Sequence, residues 1–258
     1  MGTALVRLIA AGGEHQLTGA LGEPGDPALG RDAGQVAGVD PVGVRITASL
    51  DEALQGAPQV VIDFTAPAVT ARHAQACAAN GHALVVGTTG LGVAEMAALQ
   101  AAAVRVPVLH ARNMSLGITV LTELVRQATA LLGTDFDVEV TEAHHRHKKD
   151  APSGTALQLG EAAATARGRR LEDVAVYARA GLAAAGRPAG AIGFASLRAG
   201  AIVGDHTVLL AGAEEQLELT HRATDRALFA RGALRAAGWL AGKPAGLYSL
   251  REVLGLPA

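Results

Sequence analysis

Short apolar runs alternate with helical stretches over roughly the first 114 residues. The runs QVVID (59–63), ALVV (83–86) and VPVL (106–109) contain few polar residues. Each predicts a buried strand, and their alternation with helices predicts a parallel sheet that is covered on both faces. The segment from Gly2 to Ala11 has apolar residues at helical spacing and predicts a helix. In open sheets of this kind, ligands bind beyond the carboxyl ends of the strands.

The pattern changes after residue 115. A helix is predicted from Gly117 to Leu132, followed by a strand from Phe136 to Ala143. A second helix covers 153–168, with Ser153 as its cap. Three strand-like runs then follow at the spacing of an antiparallel or mixed sheet: AIGFASLRA, HTVLLAG and QLELTHRA. A last helix, from Ala227 to Ala241, is expected to return to the first domain.

The expected fold class is therefore α/β, with two domains. One is a Rossmann-like parallel-sheet domain formed by residues 1–114 and completed by 225–258. The other is an α+β domain with a mixed or antiparallel sheet, formed by residues 115–224.

Composition narrows the class of protein. Half of the 258 residues are apolar, but no apolar run reaches the roughly 18 residues that cross a bilayer. The single cysteine, Cys77, fits a reducing compartment, and no secretory signal is visible at the start. A formal net charge of -2 and 3% aromatic residues argue against nucleic-acid binding. We expect a cytoplasmic globular protein with no nucleic-acid or membrane partner.

A basic cluster occupies residues 142–156, EAHHRHKKDAPSGTA. It contains Lys148 and Lys149, and the chain has only one other lysine, Lys243. Lysine can give up a proton near neutral pH when its surroundings lower its pKa, whereas arginine cannot. The lysine pair therefore raises the hypothesis that one of the two is a catalytic acid.

Three interpretations of this cluster compete. A metal site is disfavoured, because His144, His145 and His147 lack the usual ligand spacing and lie among cations that would repel a divalent ion. A solvated charged loop is the ordinary interpretation of a charge run. However, Ser153 follows closely and can cap a helix, whose N-terminal N–H groups and dipole attract anions. We therefore favour an anion site suited to a small dicarboxylate.

These residues resemble the signature segment of the 4-hydroxy-tetrahydrodipicolinate reductase family, nicotinamide-dependent enzymes of the diaminopimelate route to lysine. The resemblance extends over nearly the whole chain. Six further segments resemble family segments in the same order: IDFTAP, VVGTTG, ARNMSLG, IGFASLRAG, GDHT and ELTHRATDRALFARGA.

The resemblance implies a role for each matching residue. His144 matches a proton donor or acceptor, Lys148 a proton donor, and His145 a substrate-binding histidine. Gly154 and Thr155 match a pair that binds a substrate carboxylate. The implied substrate is a cyclic imine dicarboxylate, bound by residues 115–224, which also form the contacts of a homotetramer. The implied cofactor is NADH or NADPH, next to two turns: Gly87, Thr88 and Thr89, and Ala111, Arg112, Asn113 and Met114.

The chain departs from the family pattern in two places. Met1 and Gly2 align with the end of the family's glycine-rich loop, so we expect the natural protein to begin roughly fifteen residues earlier, with one more strand. Gly22 and Glu23 stand where the family usually has an acidic residue followed by arginine. Glu23 would repel a 2′-phosphate, so NADH is favoured over NADPH.

Two other functions stay open at this point. One is a related oxidoreductase, such as an aspartate or homoserine type dehydrogenase, against which the HHRHKKDAPSGTA run argues. The other is a dicarboxylate-binding or regulatory protein that has lost its cofactor loop. A measurement of NADH binding would separate the second from an enzyme.

Overall fold

The computed structural model describes residues 1–182 and 185–256. The chain divides into two compact units. The first unit consists of Met1–Met114 and Ala227–Ala258, and the second of Ser115–Arg226.

A four-stranded parallel sheet forms the centre of the first unit, in the order β11-β5-β4-β3. Asp63 pairs with Val86, and Val86 with His110, so three neighbouring strands end at the same edge. The core includes Leu84, which is fully buried. The strands are β3 (Val60–Asp63), β4 (Ala83–Val86), β5 (Pro107–His110) and β11 (Gly246–Tyr248).

Helices pack on this sheet as predicted. The helix α9 returns from the far end of the chain to contact β3, β4 and β5. The larger helices of this unit are α1 (Gly2–Ala10), α4 (Pro67–Asn80), α5 (Val93–Ala103) and α9 (Ala227–Leu240). The smaller elements of this unit are β1 (Ala20–Leu21), β2 (Ile46–Thr47), α2 (Ala33–Ala37), α3 (Leu50–Leu54) and α10 (Leu250–Val253). The two strands β1 and β2 form a separate parallel pair.

The third apolar run forms a strand one residue later than expected. The N–H of Val106 donates to the carbonyl of Ala102, 3.0 Å away at the end of α5, so Val106 closes the helix instead of starting the strand. Pro107 begins β5, a position that proline tolerates because it needs no N–H there.

The second unit contains a mixed five-stranded sheet in the order β10-β9-β6-β8-β7, as the fold class predicted. β10, β9 and β6 are antiparallel neighbours, whereas β6, β8 and β7 run parallel. The strands are β6 (Asp137–His144), β7 (Ala175–Val176), β8 (Ile192–Arg198), β9 (Gly204–Ala211) and β10 (Gln216–Ala223). The helices are α6 (Leu116–Leu132), α7 (Gly154–Ala166) and α8 (Leu171–Val174).

One face of β6 changes from apolar to polar along the strand. Val138 and Val140 lie in the core, and Glu142 and His144 follow on the same buried face. Polar residues also stand beside Glu142 on the neighbouring strands. Glu142 pairs with His206 of β9 on one side and with Ser196 of β8 on the other, and His206 pairs in turn with His221 of β10. The core-facing side of the sheet therefore ends in polar groups at the carboxyl end of β6.

None of the helices that the structure describes combines the length and the apolar character of a membrane span. Within residues 1–182 and 185–256, no group of three or more histidine, cysteine or carboxylate side chains is arranged to hold a metal ion.

Candidate active site

Glu142 is the most heavily hydrogen-bonded side chain at the end of β6. Arg198 clamps it with two bonds of 2.8 Å, one to each carboxylate oxygen. The Ser153 N–H also donates to Oε1 at 3.1 Å. Burial works against the charge of Glu142, but the bonds from Arg198 and His144 outweigh burial and lower its pKa to about 2. Glu142 is therefore a fixed buried anion.

His144 lies directly against this anion. Its Nδ1 is 2.6 Å from Glu142 Oε2, and the ring is mostly buried. On its other side, a Cβ placed on Gly204 would stand 3.0 Å from His144 Nε2. Gly204 thus leaves the space that the imidazole edge occupies.

Lys148 has a counter-ion that the sequence interpretation overlooked. Its Nζ lies 2.9 Å from Asp150 Oδ1. Burial opposes the charge of Asp150, but the Lys148 hydrogen bond outweighs it and lowers the pKa of Asp150. Within the basic cluster, a carboxylate two residues along the chain thus turns back to meet Lys148.

His145 and the start of α7 complete the cluster. Burial and the nearby positive charge of Arg226 lower the pKa of His145, which favours its neutral form. Gly154 and Thr155 form the first turn of α7, and the Ser153 hydroxyl caps this helix by accepting from the Ala156 N–H at 3.2 Å. A Cβ at Gly154 would meet nothing within 4 Å, so the backbone there is open to a ligand. The first N–H groups of a helix have no intrahelical acceptor, which suits them to a carboxylate.

His206 is a site residue that sequence reasoning missed. It is 4% exposed, and its Nε2 lies 3.1 Å from Ser153 Oγ. Burial and the adjacent His144 lower its pKa to about 4, so the ring is neutral at physiological pH. Sequence reasoning also missed Arg198, Arg226 and the role of Glu142. The available signal was that all four belong to segments that resemble the family: His206 to GDHT, Arg198 to IGFASLRAG, Arg226 to ELTHRATDRALFARGA, and Glu142 to the basic cluster itself.

The expected cofactor turns lie in the first unit, at the carboxyl ends of adjacent strands. The Gly87 N–H donates to the Asp63 carbonyl at 2.8 Å, and the Ala111 N–H donates to the Val86 carbonyl at 3.2 Å. Thr88 is buried, whereas Thr89 is exposed. In the second turn, Arg112 is exposed, Asn113 half-buried and Met114 buried. Its first residues are therefore accessible from solvent, whereas its last residue is part of the core. Both turns thus follow from strands that end at the same edge.

Asp63 holds the first of these turns in place. Its Oδ1 accepts from the Thr65 N–H at 2.8 Å and from the Thr88 hydroxyl at 3.2 Å. His73 Nδ1 lies 3.1 Å from Oδ2. Burial would raise the pKa of Asp63, but the bonds from His73 and Thr65 outweigh it and lower that pKa.

The geometry of the first turn fits a dinucleotide. A Cβ at Gly87 would collide with the Phe64 ring, so any larger residue there would require that ring to move. A glycine-containing turn at the carboxyl edge of a parallel sheet is the usual place for such a cofactor. Gly87, Thr88 and Thr89 and the turn from Ala111 to Met114 are the residues that would hold it.

The chain is similar in sequence to known proteins along almost its whole length. Residues 1–114 match the family model "Dihydrodipicolinate reductase, N-terminus", and residues 117–254 match "Dihydrodipicolinate reductase, C-terminus". The chain is 52% identical over 256 residues to a 4-hydroxy-tetrahydrodipicolinate reductase of Anaeromyxobacter dehalogenans, covering 99% of this chain and 94% of the relative. A relative of the same name from Thiobacillus denitrificans is 51% identical, with 99% and 95% covered.

Solved structures share the fold. A dipicolinate-bound dihydrodipicolinate reductase from a Paenisporosarcina species superimposes with a TM-score of 0.76 at 22% identity, covering 96% of this chain and 92% of that one. An amine dehydrogenase from Mycobacterium smegmatis gives a TM-score of 0.60 at 13% identity, with 100% and 93% covered. The similarity of the sequences confirms the family that the motifs predicted: this chain belongs to the dihydrodipicolinate reductase family.

Proposed function

We propose that this chain reduces 4-hydroxy-tetrahydrodipicolinate to tetrahydrodipicolinate, with loss of water, in the diaminopimelate route to lysine. The observation that carries the proposal is the group formed by His144, Lys148 and the start of α7 in one unit of a family member. The reaction is an NAD(P)H-dependent reduction, and the bound nicotinamide supplies the hydride. The protein supplies the proton and the anchoring of the substrate.

Lys148 is the group that we assign to the proton. Hydride delivery to an unsaturated cyclic imine leaves a carbanion-like carbon that needs a proton. The Lys148 ammonium is half-buried and orientated by Asp150, so its position is defined before substrate binds. His144, with Nδ1 bound to Glu142, is the second proton-transfer group.

The substrate carboxylates are assigned to the start of α7 and to His145. Gly154 and Thr155 stand at the positive end of a helix of 13 residues. A carboxylate at this place gains from the helix dipole and from the backbone N–H groups. The ring of His145 lies in the positive field of Arg226, which adds to the attraction for a dianion.

The preferred cofactor is NADH. Glu23 follows β1 closely and is exposed. In a dinucleotide-binding fold, the residues after the second strand read the ribose, and a carboxylate there would repel a 2′-phosphate.

A homotetramer is the assembly that the family resemblance implies, and one face of the five-stranded sheet supports it. Leu197 is 57% exposed on the face opposite to the core, in line with Ala143 on β6. The hydroxyls of Thr207 and Thr220 lie 2.9 Å apart on the same face. The part of this face formed by Ala143, Leu197 and the two threonines has small or apolar side chains, which suit it to packing against another copy, whereas Glu139, Asp205 and Arg222 on the same face are charged.

A cytoplasmic location, expected from the lone Cys77, stays a prediction.

The two adjacent lysines provide the test of the proposal. We expect Lys148→Ala to lower kcat by roughly 10²–10⁴-fold, the range of general acid catalysis, whereas Lys149→Ala keeps most of the activity. Dipicolinate binding measured by calorimetry should persist in Lys149→Ala and weaken at high salt, because the attraction is largely electrostatic.

The same experiment separates the proposal from the other functions. If Lys148→Ala keeps more than about a tenth of the wild-type kcat, Lys148 is not the acid. If the wild type binds dipicolinate but neither binds NADH nor reduces the substrate, a dicarboxylate-binding protein is the better description.

A further inference from the structure

We infer that Glu142, clamped by Arg198, is a positioning residue that fixes the tautomer of His144, so that His144 Nε2 is the nitrogen that exchanges a proton with the substrate. This inference deepens the proposed function and rests on the role of His144 in it. Glu142 itself touches no reacting atom in this assignment. It acts through the imidazole.

Each carboxylate oxygen of Glu142 has at least two hydrogen-bond partners. Oε2 faces His144 Nδ1 at 2.6 Å and Arg198 Nη1 at 2.8 Å. Oε1 accepts from Arg198 Nη2 at 2.8 Å and from the Ser153 N–H at 3.1 Å. Because Arg198 binds with both ends of its planar group, the carboxylate cannot rotate without breaking charge-assisted bonds.

An ionised carboxylate accepts hydrogen bonds and donates none. Burial opposes the charge of Glu142, yet Arg198 and His144 lower its pKa to about 2, so it is an anion in the working range of pH. His144 Nδ1 must therefore carry the proton of the 2.6 Å contact. The hydrogen bond of one ring nitrogen sets the state of the other, which leaves Nε2 as the exchangeable position.

The surroundings of Nε2 agree with this role. Gly204 adjoins it, and a Cβ there would approach Nε2 to 3.0 Å. The imidazole of His206 on β9 meets the His144 ring edge-on, with the two ring centroids 5.1 Å apart. Burial lowers the pKa of His206, which keeps the His206 ring neutral. Among the hydrogen bonds that the structure describes, none is formed by His144 Nε2.

A Glu142→Gln variant should reverse the tautomer. If the amide nitrogen took the place of Oε1, it would be a donor facing two other donors, Ser153 N–H and Arg198 Nη2. If it replaced Oε2, it would face one fixed donor, Arg198 Nη1. His144 can adapt by moving its proton to Nε2, and the Ser196 hydroxyl, which also bonds Glu142, can adapt by rotating. We therefore expect the amide nitrogen to face His144 and donate to Nδ1.

The experiment combines kinetics with ¹⁵N NMR of the imidazole. For Glu142→Gln we expect kcat to fall by roughly 10²-fold or more, the scale of acid–base catalysis, with dipicolinate affinity changed much less. The His144 ¹⁵N shifts should change from protonated Nδ1 in the wild type to protonated Nε2 in the variant. A purely structural role for Glu142 would not produce this change.

Glu139 provides a matched control on the same strand. It faces the opposite side of β6 and is bound at both oxygens by Arg179, at 2.7 and 2.8 Å. Glu139→Gln removes a similar ion pair, and we expect it to leave kcat and the His144 tautomer unchanged. Glu142→Asp keeps the charge but shortens the side chain. This variant is measured in place of Glu142→Gln if Glu142→Gln does not fold. For it we expect mixed tautomers and a kcat lowered roughly tenfold.

The outcomes separate the inference from the function on which it rests. A folded Glu142→Gln with the wild-type kcat, or with lost kcat but a proton still on Nδ1, overturns the inference. His144→Ala is measured beside it. If His144→Ala also keeps its kcat, the fault lies in the proposed role of His144, and the inference falls with it.

Discussion

The hydroxyl of Thr88 donates to Asp63 Oδ1 over 3.2 Å, joining the ends of two adjacent strands that lie 25 residues apart in the sequence. Both residues are nearly inaccessible to solvent. The turn assigned to the cofactor is therefore tied to the end of β3 by a buried bond.

Removing this bond should loosen the turn. We expect Thr88→Val to lower the free energy of unfolding by about 1–2 kcal/mol, because a buried carboxylate loses a donor, and to weaken NADH binding. Thr89→Val, one residue later and exposed, should change stability by less than about 0.5 kcal/mol. Denaturant unfolding and NADH titration measure both quantities, and equal stability losses in the two variants would contradict the assignment.

Gly204 should be sensitive to a single added methyl group. In Gly204→Ala the new Cβ would lie 3.0 Å from His144 Nε2, and we expect kcat to fall by roughly 10–10²-fold through displacement of the ring. Gly212→Ala is the matched control, since its Cβ would also meet a ring at 3.0 Å, that of Phe136. Steady-state kinetics that show equal losses in both variants would argue against a special role for the space beside His144.

Acid should destabilise the second unit through His206. Burial and the charge of His144 lower its pKa from 6.5 to about 4 in the folded protein. As the pH falls below 6.5, the unfolded chain takes up a proton that the folded chain does not, so stability decreases until about pH 4, by up to about 3 kcal/mol.

A His206→Gln variant checks this expectation. It removes the titrating ring, so its free energy of unfolding should fall less steeply than that of the wild type between pH 6.5 and 4. Urea unfolding at several pH values gives both curves. Parallel curves would mean that His206 is not the group responsible.

Cofactor preference should respond to Glu23. For Glu23→Ser we expect the ratio of kcat/KM for NADPH to that for NADH to rise by up to roughly fivefold, because removing one exposed charge near a phosphate is worth about 1 kcal/mol. Asp51→Asn, an exposed carboxylate in the first turn of α3, is the control and should leave the ratio unchanged. A wild type that already prefers NADPH would contradict the assignment of NADH.

The sequence could predict those parts of the fold that local patterns encode. The run ALVV between glycine-containing turns indicated β4, and Ser153 indicated the start of α7. The strands β1 and β2 have two residues each, too short for any periodicity, and they exist because they pair with each other. Their formation is a tertiary effect that no local pattern contains.

The site was predictable only within the basic cluster. His144, His145 and Lys148 stood out in the sequence, and Glu142 stood beside them unrecognised. Arg198 lies 56 residues from Glu142, and only the parallel pairing of β6 with β8 brings them together. Asp150 was in view, but its pairing with Lys148 depends on the path of the loop.

The Ser153–His206 hydrogen bond has a consequence for how the site can vary. The start of α7 is attached to the sheet twice, by Ser153 Oγ to β9 and by the Ser153 N–H to β6. Gly154 therefore keeps its distance from His144 whatever the path of residues 145–152 between them. That segment carries Lys148, and it has its own attachment to the sheet, since the Arg146 N–H donates to the Gly200 carbonyl at 3.3 Å. Changes in its length or sequence would move the proton donor while the carboxylate anchor stayed in place.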